Sequence, residues 1–269
     1  MGGVEHATPG MVLIMVVITA PLFVFIAKAK RGVPFFVRHI PGIDAINNAV
    51  GRAAELERPV SFSTGLTGVG PVLYAVLGVL FHVARRCSIY GSRLIVPQVS
   101  SEVMAITEDV IKDAYRVEGK MHEFDPSSVI YLSDEQFAFA SGYMGVIQRE
   151  NVGSAFLFGS FAAESLIMAE AGQQVGAMQV AASVSPEQVP FFITSCDYTL
   201  IGEELYAAAA YLTKEPVQLG SLYAQDRAKL AIFALIIMGV AFATVEVFYP
   251  ELNLPDITDW IMRGWEAFG

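Results

Sequence analysis

The sequence predicts an α/β fold, a Rossmann-like, mostly parallel sheet with helices on both faces, flanked by two transmembrane helices. Three observations carry this. Short β-rich runs alternate with longer helical ones through the middle of the chain, which implies βαβ units. Two long uncharged apolar runs lie near the two ends. The composition agrees: 54% hydrophobic residues, only 16% charged and a mean hydropathy of +0.50 over 269 residues exceed what a soluble domain carries.

The first apolar run is Met11 to Ala27, MVLIMVVITAPLFVFIA, followed by Lys28, Lys30 and Arg31. A secretory signal peptide is the rival reading, but its positive charge precedes the apolar run, and here it follows. Pro21 is tolerable within a helix packed on a neighbour. The second run is Leu230 to Val245, extending to Phe248, with Arg227 and Lys229 before it and Glu246, Glu251, Asp256 and Asp259 after it. Lys and Arg mark the cytoplasmic flank. The expected layout is therefore an outer N-terminus (1–10), a transmembrane helix (11–27), a juxtamembrane elbow with a short helix (28–58), a cytoplasmic domain (59–229), a second transmembrane helix (230–248) and an outer tail (249–269). The expected setting is a bacterial cytoplasmic membrane with both termini outside. In the tail, Trp260 and Trp265 fall on one face of a short amphipathic helix and suit a membrane interface, with partner binding as the alternative.

Within the domain, strands are predicted at PVSFS from Pro59, SRLIVP from Ser92, SSVIYL from Ser127, SAFLFG from Ser154 and AMQVAAS from Ala177, with a weak sixth at PVQLG from Pro216. The stretch from Gln188 to Leu212 reads as helical. Pro71 suits a first helical turn, Ser133 with Gln136 a capping box, and Gly91 and Gly119 helix ends.

The strings YGSRLIVPQ, LSDEQFAFASG and QVPFFITSCDYTLIGEELYAAAAYLTKEPVQLGSL resemble a family of bacterial membrane proteins catalogued only as a domain of unknown function. The likeness spans roughly residues 33–245, and CDYTLIGEELYAA is its most specific part. It implies the same membrane-plus-Rossmann-like layout and brings no activity, cofactor or catalytic residue with it.

Two places could carry chemistry. The loop after the first strand holds Thr64, Gly65, Thr67, Gly68 and Gly70 and leads into a helix, where free N–H groups can receive an anion. Its glycine order is GxxGxG rather than GxGxxG, it has no P-loop lysine, and the second strand ends in Gln98 rather than a ribose-binding acid. A flexible turn shaped by conformational glycines is the preferred reading of this loop over a dinucleotide site. The second place is Asp197 with Glu203 and Glu204, near Tyr206 and Tyr211. Read as one helix, Asp197 and Glu204 stand two turns apart on one face. They could bind a divalent ion, act as acid and base, or pair with cations at a subunit contact. Asp134, Glu135 and Glu164 suit helix starts electrostatically.

The net charge of -10 argues against nucleic acid. Cys87 and Cys196 match no metal or redox spacing, and the four histidines fall in separate segments. No cofactor is expected. The leading expectation is a non-enzymatic, membrane-anchored scaffold or accessory subunit, in a homo-oligomer or a larger complex in the lipid bilayer. Small residues in the second membrane helix (Ala234, Gly239, Ala241, Ala243) support close helix packing. A ligand-sensing domain using the Gly-rich loop is the alternative, and a membrane-bound hydrolase or transferase using the acids is the third.

Overall fold

The computed structural model of the chain describes residues 9–33 and 41–248. They form two compact units. One consists of α1 (Pro9–Lys30) and α9 (Pro216–Phe248); the other is an α/β unit, Val37–Lys214. The residues carrying Trp260 and Trp265 lie outside the described ones.

The α/β unit is built on β1 (Val60–Gly65), β2 (Leu94–Gln98), β3 (Val129–Tyr131), β4 (Ser154–Ser160), β5 (Met178–Ser183) and β6 (Tyr198–Ile201). Every neighbouring pair is parallel, in the order β3-β2-β1-β4-β5-β6. Parallel strands must be covered on both faces, and β1, β2 and nearly all of β4 are buried along their length. Side chains alternate between two cores. Phe62, Val96, Phe156, Phe158, Val180 and Leu200 face α2 (Pro41–Glu55), α3 (Pro71–Tyr90), α8 (Glu204–Thr213) and the end of α4 (Ser101–Val117). Leu157 and Ala181 face α5 (Gln136–Glu150), α6 (Ser165–Gln174) and α7 (Val189–Ser195). Phe62 stacks on Phe156 and Phe158 at 6.1 and 5.6 Å between ring centroids, at the centre of the first core.

The fold class is as the sequence predicts, and the last strand is elsewhere. The stretch from Gln188 is not one helix: it splits into α7, β6 and α8, and PVQLG forms the start of α9. Tyr-Thr-Leu-Ile has strong β character, and Gly202 at φ 56° makes the turn out of the strand. Pro216 opens a helix, where its missing N–H costs nothing. Pro71, Gly91 and Gly119 stand where expected: Gly91 is left-handed (φ 68°), and the Ser92 N–H reaches the Cys87 carbonyl as in a Schellman ending. Ser133 forms no capping box; its Oγ accepts from the Glu135 N–H at 3.1 Å, before the helix begins.

Among the described residues, two helical stretches are long and apolar enough to cross a membrane, Pro71–Tyr90 and Pro216–Val245. The first is half buried in the α/β core; the most apolar 18-residue window of the second has no buried residue. Beside α9 runs α1, about 33 Å long at 1.5 Å per residue. The two helices touch where Gly220 leaves no room for a side chain: a Cβ there would stand 2.7 Å from the Ile26 Cα. Phe25 meets Tyr223 edge to face at 5.0 Å. Ile26 pairs with Gly220 and Phe25 with Tyr223, so the helices run antiparallel. Counting seven residues along each from that contact brings Arg227 level with Thr19, the midpoint of the Met11–Ala27 run. The cations of the two flanks are therefore staggered by about 14–20 Å along the pair.

In the α/β unit, Asn47 of α2 clamps α3: its Oδ1 lies 2.9 Å from His82 Nε2 and accepts from Arg86 Nε at 3.0 Å. Burial first, then the Arg86 and Arg85 charges, lower the His82 pKa to about 4. The unfolded chain, with an ordinary histidine near 6.5, then binds a proton that the folded one refuses. Stability should fall as pH drops from about 6.5 toward 4. In denaturant titrations across that window, His82→Gln should flatten the slope relative to the wild type; equal slopes would show that His82 does not carry it.

Candidate functional site

In this strand order the chain leaves β1 toward β2 on one side and leaves β4 toward β5 on the other. The carboxyl ends of β1 and β4 are thus the topological switch point, where open α/β sheets hold ligands. The Gly-rich loop sits there and is stitched to the loop after β4. Thr64 Oγ1 donates to Gln98 Oε1 at 2.9 Å, and Thr67 Oγ1 donates to the Thr64 carbonyl at 2.5 Å. That same Thr67 oxygen accepts from the Ser160 N–H at 2.8 Å, and the Leu66 N–H donates to the Ser160 carbonyl at 2.9 Å. Two glycines allow the approach. Gly65 has φ 59° and faces the Ser160 carbonyl and Phe161 ring; Gly159 has φ 144° and faces Thr67 Oγ1 and the Thr64 carbonyl.

The loop therefore divides in two. Thr64, Gly65 and Thr67 form a closed seam. Gly68 and Gly70 have open space around them, with Val69 exposed between, and Gly70 caps α3 with no side-chain bond to its free N–H groups. Gln98 occupies the end of β2, where a ribose-binding acid would stand in a dinucleotide fold, and spends its carbonyl oxygen on Thr64. Its Nε2 is buried without a partner. A buried donor left so costs about 1–3 kcal/mol, unless water or a ligand meets it.

Glu164, explained above only by the helix dipole, is fully buried beside this seam. Its Oε1 accepts from the Ala162 N–H at 2.9 Å and its Oε2 from Gln136 Nε2 at 2.6 Å, tying the β4 loop to the start of α5. Nearby, Ser165 Oγ donates to Gln188 Oε1 at 2.7 Å. Nothing in the sequence flagged Glu164 as buried, since acids at helix starts are ordinarily solvated.

The acidic group is not assembled. Asp197 precedes β6 and Glu203 and Glu204 follow it, so they stand at opposite ends of a strand rather than on one helical face. Asp197 Oδ2 accepts from the Gln179 N–H at 2.7 Å; Glu204 Oε2 accepts from the Ile201 N–H at 3.0 Å. Tyr206 and Tyr211 are half-buried against the first core. Asp197 lines a polar recess of about 390 Å³ with Arg52, Gln179 and Cys196, at the amino edge of the sheet. A second recess of about 510 Å³ at that edge is lined by Lys120, Arg93 and three serines, Ser88, Ser92 and Ser128, whose hydroxyls are buried without partners. Both thiols are held protonated by burial: Cys87 is fully enclosed, and Cys196 is pushed up to about 12, aided by the Asp197 charge. Among the described residues no three His, Cys, Asp or Glu side chains converge as metal ligands.

Fold and site together define an α/β domain of Rossmann strand order carried on the same chain as a long apolar helix pair. The chain belongs to the family described as Domain of unknown function (DUF6754), whose model matches residues 4–253. No curated protein and no solved structure matches it.

The seam makes a firm prediction. Gly159→Ala forces a Cβ onto Thr67 and the Thr64 carbonyl at a φ that alanine disfavours. It should cost about 2–4 kcal/mol of domain stability. Chemical denaturation checks this, and Gly68→Ala, in open space, is the control that should change little.

Proposed function

We propose that this protein is a membrane-anchored, non-enzymatic scaffold or accessory subunit that works within a homo-oligomer or a larger membrane complex. In this reading α1 and α9 anchor the chain in a bacterial cytoplasmic membrane, both termini lie outside, and the α/β domain is cytoplasmic. Lys28, Lys30, Arg31, Arg227 and Lys229 support that orientation. The observation that carries the assembly reading is the uncovered length of α9. Counted from the Gly220 contact, Pro9 lies level with Ile237, and α9 continues for eleven residues to Phe248 with none of the described residues of α1 beside it. There Gly239 has no atom within 4 Å of where a side chain would begin, and Met238, Val240 and Phe248 are 50%, 61% and 73% exposed. Lipid can cover aliphatic side chains, but a glycine-centred hollow is best filled by another helix.

Native mass spectrometry of the full chain, from mild detergent and from nanodiscs, tests this. A stable oligomer or a retained protein partner is expected; a monomer without partners sinks the reading. For orientation, Gly269→Cys should react with an impermeant thiol reagent on intact cells and Glu118→Cys should not, and the reverse pattern overturns the topology.

A second reading, a membrane-tethered ligand sensor, is favoured by the partnerless buried amide of Gln98 beside the open Gly68–Gly70 limb. A small molecule retained in the same spectra, and lost in Gln98→Leu, would favour it over the scaffold.

A further inference from the structure

The recess of about 510 Å³ lies at the amino edge of the sheet, the opposite end of the strands from the Gly-rich loop. Its volume falls within the roughly 300–1,000 Å³ of small-molecule sites. Nine buried side-chain atoms among the described residues have no hydrogen-bond partner. Three of them, the hydroxyls of Ser88, Ser92 and Ser128, belong to the wall of this one recess. Ser88 and Ser128 are 1% and 8% exposed, so bulk solvent does not serve them. Buried hydroxyls ordinarily find a partner, and three lacking one around a single recess mark a place suited to a polar guest. Serine χ1 has three staggered wells, so rotation about one bond can turn such a hydroxyl from the wall toward the recess.

The charges around the recess decide what that guest is. Lys120 Nζ donates to the Ser88 carbonyl at 2.8 Å and to Glu123 Oε2 at 3.3 Å. Arg93 Nη1 donates to Glu150 Oε2 at 2.7 Å. Asp125 accepts from the Ser127 N–H at 2.9 Å and from the Ser127 hydroxyl at 2.6 Å. The lining thus holds two cations, Arg93 and Lys120, and two carboxylates, Glu123 and Asp125, which cancel. The carboxyl ends of α3 and α4 also meet here, and the negative ends of their dipoles oppose an anion. Lys120 and Arg93 oppose a cation. A neutral guest bearing hydroxyls meets neither objection. Its hydroxyls both donate and accept, as those of the serines do, so each pair can form in either direction. The rings of Tyr115 and Phe124, edge to face at 5.9 Å, supply apolar wall for the C–H faces of such a molecule.

We propose that this recess binds a small, neutral, polyhydroxylated molecule, a polyol or a monosaccharide. Ser88, Ser92 and Ser128 bond its hydroxyls from the wall, and Lys120 and Glu123 do so from the rim. Ligands of open α/β sheets ordinarily sit at the carboxyl ends of the strands, so this is a second site, separate from the switch point. It stands whether or not the chain assembles.

The test is isothermal titration calorimetry on the full chain in phosphatidylcholine nanodiscs, with myo-inositol, glucose and inorganic phosphate as probes and empty nanodiscs as the blank. At least one of the two neutral probes should bind with a dissociation constant of about 10 mM or tighter, and phosphate should not. Ser88→Ala and Ser128→Ala should each weaken that binding about fivefold to tenfold. Because each removes a hydroxyl that has no partner, the thermal midpoint of the unliganded variant should hold or rise, which separates lost binding from a damaged fold. No binding of either neutral probe up to about 10 mM overturns the proposal, as does binding that both substitutions leave intact. Phosphate binding that the same substitutions abolish overturns the neutral class of ligand. A midpoint that falls in both variants shows that the hydroxyls already serve the fold, and overturns the site.

Discussion

The pairing of β4 with β1 is the constraint on which the α/β unit depends. It joins the two halves of the sheet, and only there do the crossovers change direction, so that α3 and α4 cover one face and α5, α6 and α7 the other. The ladder runs from Val60 opposite Ser154 to Gly65 opposite Ser160, with an irregularity between Ser63 and Gly65. That irregularity turns the end of β1 toward β4 and lets Thr67 close on Ser160. The seam and the sheet are thus one structure. The glycines at 65 and 159 serve close backbone approach rather than flexibility, which a ligand loop would need.

Much of this was legible in the residues. Five strands are short, largely apolar runs bounded by Gly, Pro or Ser, and their alternation with helices was enough for a parallel sheet. The sixth was hidden because four residues, YTLI, lie between apolar stretches that each read as helix, so a 3.6-residue period could be drawn through all of them. Gly202 was the overlooked signal: a glycine before Glu-Glu marks a helix start as well as it marks a turn. PVQLG misled for the opposite reason, since three residues of alternation are too few to outweigh a proline that begins a helix.

The site was legible only in part, and the division is instructive. The sequence located the Gly-rich loop and the missing acid at the end of β2. It could not show that Gln98 and Thr64 bond to each other, since they are 34 residues apart and join only across the sheet. Nor could it show that Glu164 is enclosed, because burial depends on α5 arriving with Gln136. The acids at 197 and 204 were joined by an assumed helix; once a strand separates them, each is a local backbone acceptor. Clusters inferred along one element are only as sound as the element itself.

The pairing of β1 with β4 also sets an order of events as the chain is made. From the end of β1 to the start of β4 the ribosome must add about 90 residues, which at roughly 5–20 residues per second takes about 5–20 seconds. Through that interval β1 can find β2, but its other edge, carrying Val60 and Phe62, has no neighbour. An open apolar edge is a template for pairing with other nascent chains. Until β4 emerges that edge stays open, so completion of the sheet waits on the arrival of a distant segment rather than on any local step.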